Sequence, residues 1–107
     1  MASGKAWSGT LPVNTNQDTG VTPAGKVRTA SINLVNFGAA SAALKVYIST
    51  SGLSPVDGDL IDKKPINLAA GGMYLRTGEI LGPGERVVLF VNTNSVAARV
   101  TYFEENA

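Results

Sequence analysis

The sequence contains no histidine and no cysteine. Their absence removes the commonest general base, the thiol nucleophile and the two side chains that most often hold zinc and other transition metals. Disulfide bridging is excluded too, although a chain of 107 residues can bury a core without it. A cysteine-free chain carries no redox signature, because it folds in either compartment. Charge is scarce: 16% of residues are Asp, Glu, Lys or Arg, against about 25–35% on the surface of a freely soluble small domain. Nine basic and eight acidic side chains leave a net charge of +1. No basic field exists to draw in nucleic acid, and no Lys/Arg run to bind a membrane. The longest apolar run, Val87 to Val91, falls far short of the ~20 residues that cross a bilayer. Residues 1–10 carry one lysine and no apolar core, so a secretory leader is not expected. The composition points to a chain made in a cytoplasm, part of whose surface is covered by copies of itself or by a partner.

What remains is dense alternation of small and β-branched residues, broken by Gly, Pro and Asn. Residues 1–25 are an exception. They are punctuated by Gly4, Gly9, Pro12, Gly20, Pro23 and Gly25, with the polar stretch Asn14 to Thr19 between. The expected form is an extended arm with at most one short strand. Trp7, Leu11 and Val13 are its sizeable apolar groups, expected to dock on the same domain or on a neighbour. From Ala30 the period becomes two, with Ala30, Ile32 and Leu34 on one face. Ala42, Leu44, Val46 and Ile48 form a second such face, ended by turn chemistry at Ser51-Gly52-Leu53-Ser54-Pro55. Asp57 to Asp62 fits either a short strand or a helical turn. Pro65 to Leu68 predicts a short edge strand, since Pro cannot donate to a ladder. Tyr74 to Leu81 is extended, Gly82-Pro83-Gly84-Glu85 is a tight turn, and Val87 to Val91 is a strand buried on both faces. After a hairpin loop at Asn92 to Ser95, Val96, Ala98, Val100 and Tyr102 alternate with Ala97, Arg99, Thr101 and Phe103, followed by a polar tail from Glu104. The prediction is all-β: a single β-sandwich or jelly-roll-like barrel of about seven short strands over residues 26–107, preceded by the arm at 1–25.

No constellation of catalytic residues emerges. Ser and Thr have no histidine to activate them, and no recognised spacing supports a Ser–Lys pair. Asp57, Asp59 and Asp62 are oxygen donors that could meet a cation, but no bidentate Glu follows at EF-hand spacing. The expected role is a solvated turn in which Asp accepts backbone N–H groups. Gly82-Pro83-Gly84 lacks the Lys-Ser/Thr and helix of a phosphate loop. No catalytic, cofactor or metal residues are therefore assigned. The candidate interface residues are Trp7, Leu11, Val13, Tyr47 and Phe103, the last two because alternation turns them outward.

The order of motifs carries a further signal. Val21-Thr22-Pro23-Ala24-Gly25-Lys26 precedes Ser31-Ile32-Asn33-Leu34-Val35-Asn36. Ala42 to Ser49 leads into Leu53-Ser54-Pro55-Val56-Asp57-Gly58-Asp59-Leu60-Ile61, and then come Arg76-Thr77-Gly78, Gly82-Pro83-Gly84-Glu85 and Ala98 through Glu105. In this order the chain, from Val21 to Glu105, resembles a group of small structural proteins of tailed bacteriophages. The resemblance implies a β-sandwich virion component, made in the host cytoplasm, with no catalytic residues carried over. The expected role is a capsid cement or decoration protein. Its expected partners are the major capsid protein or other virion proteins and further copies of itself, a trimer included, with no nucleic acid and no membrane. A tail, neck or fibre-associated subunit is the alternative. Outside that class stands a carbohydrate-binding module using Tyr74, Arg76, Asn92 and Asn94.

Overall fold

The alternating stretches fold as strands, and so does most of the segment expected to be an arm. The structure is a computed structural model that describes residues 2–51 and 54–107, apart from the side chain of Ala2. Met1 of the expected arm and the Gly52-Leu53 part of the expected turn lie outside the described residues. Among the described residues eight strands follow one another: β1 (Ala2–Thr10), β2 (Gln17–Asp18), β3 (Lys26–Asn36), β4 (Ala42–Ser49), β5 (Ile66–Leu68), β6 (Met73–Leu81), β7 (Arg86–Val91) and β8 (Val96–Asn106). A 3-10 turn at Asp57–Asp59 resolves the ambiguity between strand and helical turn. One sheet, A, runs β1-β8-β3-β6 and the other, B, runs β2-β7-β4-β5. Every strand pair is antiparallel. The expected β-sandwich is therefore the fold.

Alternation places the core. Ile32 and Leu34 of β3, with Val96 and Val100 of β8, meet Leu44 and Val46 of β4 and Leu89 and Val91 of β7, all fully or almost fully buried. Burying each such aliphatic side chain contributes about 1.5–3 kcal/mol before conformational entropy is charged against it.

The arm needs correction. β1 pairs with β8 from Ala2↔Glu104 to Thr10↔Ala97, so this segment is an edge strand of sheet A. Leu11 donates its N–H to Val96 and is only 2% exposed. The chain then crosses to sheet B, where Asn14 N–H bonds Val91 and β2 pairs with β7. The sequence hides this because β1 has little to alternate: Ala6 and Trp7 pack partly on the core, while Ser3, Lys5, Ser8 and Thr10 face out. The tail needs the same correction. Glu104 to Asn106 extend β8 along β3, and Arg28 Nε holds Glu104 at 2.8 Å.

The edges of both sheets are blunted. β1 carries a bulge between Lys5 and Trp7. In β6, Thr77 and Gly78 together oppose Ser31, and Gly78 adopts φ +77°, which a glycine accepts at no steric cost. In sheet B the edge strands have only two and three residues. Short and bulged edges are poor templates for strand addition.

Candidate functional site

Register fixes what the outer face of sheet A presents. Phe103 of β8, Thr29 of β3 and Ile80 of β6 lie in one row. Arg99, Asn33 and Leu75 form another, and Ala97, Val35 and Met73 a third. Met73, Leu75 and Ile80 are each more than 60% exposed, and Phe103 is 41% exposed. Phe37, just past the end of β3, is exposed too. Single exposed apolar residues are ordinary, but a stripe along one strand with an aromatic in the same row marks a contact surface. Arg99 is exposed and has no ion pair among those of the described residues. In its row, Asn33 Oδ1 is removed from water with no hydrogen-bond partner among the described residues.

Sheet B differs. On its outer side Tyr47 is 5% exposed: Leu60 bridges it and the 3-10 turn packs against β4. Burial pushes the Tyr47 hydroxyl pKa up. Lys45 Nζ lies 4.6 Å from the Phe90 ring centroid on the same side, so that aromatic is capped within the chain. Leu11 and Tyr47 therefore face the interior or a covering segment, which corrects their assignment to an interface. Trp7 packs partly against the core, while Val13, at the crossover, and Phe103 are exposed. The structure does not gather the five residues into one patch. Sequence reasoning missed Met73, Leu75 and Ile80, whose signal was apolar residues on both parities of one short strand.

The aspartates are engaged by their neighbours. Asp57 pairs with Lys64 at 2.9 Å, and Asp59 accepts the Val56 N–H at 3.0 Å. Asp62 accepts from the Tyr74 hydroxyl at 2.8 Å and from Arg76 at 3.2 Å, and Arg76 is also held by Glu79. The Tyr74 bond, helped by the Lys63 N–H, holds the Asp62 carboxyl below its usual range. Burial, then the bond to Asp62, raises the Tyr74 hydroxyl. Tyr74 and Arg76, two members of the carbohydrate set, are thus spent on this clasp, and Asn92 Oδ1 accepts from Ala43 N–H. Asn94 is exposed.

A second polar centre closes one end of the sandwich. Asn36 is fully buried and makes four bonds with its side chain. Nδ2 donates to Ala40 and Leu68 carbonyls, and Oδ1 accepts from Gly38 N–H and Ser95 Oγ. It fixes the loops beside the outer-face apolar stripe. Among the described residues there is no cleft, no carboxylate group arranged for a metal, and no helix long and apolar enough to cross a membrane. No protein-family model, no curated protein and no solved structure matches the chain.

Proposed function

We propose that the chain is a non-enzymatic structural subunit of a bacteriophage particle, acting as a capsid cement or decoration protein. The observation that carries this reading is the exposed apolar stripe of β6, with Phe103 in the row of Ile80, on the outer face of a sandwich with blunted edges. Such a body associates through a broad face and not by strand addition. Low charge favours the same use, since desolvating few charges keeps the cost of a large contact low. The resemblance of Val21 to Glu105 to tailed-phage structural proteins supplies the particle. Many weak copies on a symmetric shell add up to firm attachment.

The experiment is compositional. Virions purified from the phage that encodes the chain should hold it at a fixed copy number, released as a set with capsid protein on disassembly. Particles free of the chain would overturn the proposal. Co-release with isolated tails instead of shells would favour a tail or neck subunit.

A further inference from the structure

We infer that the outer face of sheet A is a self-complementary dimer interface, on which a second copy of the chain packs face to face across a twofold axis perpendicular to the strands. The inference rests on the reading of the chain as an assembling subunit. Self-association in solution and attachment to particles are separate measurements, so either can fail alone.

Three observations lead to it. First, one copy is complete. Its accessible surface is 5375 Å², near the roughly 5,650 Å² expected of a monomer of this mass. A second copy therefore adds a contact without supplying a missing strand. Second, the face has a suitable size. Four strands about 4.8 Å apart and about nine residues long span a flat footprint of roughly 570 Å². Side-chain relief raises that towards the ~800 Å² each partner contributes to a standard interface. Third, charge is distributed so that only one twofold arrangement matches.

Arg99 and Glu105 lie on the same outer side of β8, six positions apart, and both are exposed. No other acidic side chain of β1, β3, β6 or β8 shares that side with them: Glu104 is turned to Arg28 and Glu79 to Arg76. A twofold axis along the strands would lay Arg99 over the Asn33 region of the other copy. It would also set the Met73–Leu75–Ile80 stripe of β6 on Ser8 and Thr10 of β1, apolar on polar. An axis across the strands sets β8 on β8 in opposite directions and β6 on β6. With the axis passing over Tyr102, each Arg99 then meets a Glu105 of the other copy, twice per dimer. Ile80 of each copy lies beside its counterpart near the axis, while Leu75 and Met73 reach the turn between β6 and β7 of the other copy. Isologous contacts of this kind close after two copies.

The test is sedimentation of the full-length chain with charge reversals at exposed positions. The wild type should form a dimer of twice 11.1 kDa. Arg99→Glu and Glu105→Arg should each weaken it by roughly tenfold or more, since each places like charges together twice. The double variant R99E/E105R should restore the dimer, and Ile80→Ser should weaken it. Circular dichroism checks that each variant keeps its strands. A wild type that stays monomeric overturns the inference. So does a dimer indifferent to both single reversals, or one the double variant fails to restore.

Discussion

The Tyr74 hydroxyl of β6 donates a 2.8 Å hydrogen bond to Asp62 Oδ2, joining the edge of sheet A to the segment that borders β4 of sheet B. Arg76 reaches the same oxygen. This clasp spans the open side of the sandwich, next to the strand that carries the apolar stripe.

Removing the clasp should loosen that side. Tyr74→Phe keeps the ring and deletes the donor, at a cost of about 1 kcal/mol for a partly exposed bond to a charged group. The expected drop in Tm is about 5 °C, measured by thermal denaturation at neutral pH. The pH dependence has a defined sign. The Asp62 carboxyl lies below its ordinary 3.8, so its contribution is full above that value and is lost as pH falls through the lower folded value. The Tyr74 hydroxyl lies above its ordinary 10.0, so its contribution is full below that value and is lost as pH rises through the higher folded value. The wild type and Tyr74→Phe should therefore converge in stability at both extremes. A constant gap across the whole range would contradict this assignment.

Asn36 should be the most sensitive polar position. Asn36→Ala leaves two carbonyls, the Gly38 N–H and the Ser95 hydroxyl without their partner, for a loss of about 3 kcal/mol or more. Asn36→Asp should cost at least as much, because a carboxylate would face the Ala40 and Leu68 carbonyls. Gly38→Ala tests the same centre from outside: a Cβ there would lie 2.6 Å from Ser95 Oγ, forcing Ser95 off Asn36. Urea titrations of the three variants decide it, and midpoints equal to wild type would refute the role given to Asn36.

Residues 2–25 belong to the fold. Leu11→Ala should destabilise by about 2–5 kcal/mol, as for other buried leucines. A chain beginning at Lys26 would lose β1, β2 and the Thr19 hydroxyl bond to the Val87 carbonyl, and would expose β8 as an open edge. It should aggregate or unfold. A truncated chain with native strand content and an unchanged midpoint would return residues 1–25 to the status of an arm.

The sandwich was legible where one face is buried and the other is not. Ile32, Leu34, Leu44 and Val46 sit where alternation puts them, and Pro65 marks an edge strand as its missing N–H requires. β1 was not legible, because it is fixed by backbone pairing to β8 and buries little beyond Ala6 and Trp7. Tyr47 alternates outward correctly, yet is covered by the Leu60 segment, a tertiary contact that periodicity does not encode. The outer-face stripe was obscured by the bulge at Thr77–Gly78, which shifts the parity of Ile80 relative to Leu75 and blurs a period-two pattern. Asn36 reads locally as a turn residue, and its long-range partners Leu68 and Ser95 become visible only in three dimensions.

The proposed role is tested most directly by the temperature at which particles lacking the chain release their genome, before and after purified chain is added back. Capsid reinforcement predicts early release without the chain, recovery on addition, and saturation at a fixed copy number per particle. Particles that release their genome at the same temperature with and without the chain would contradict it.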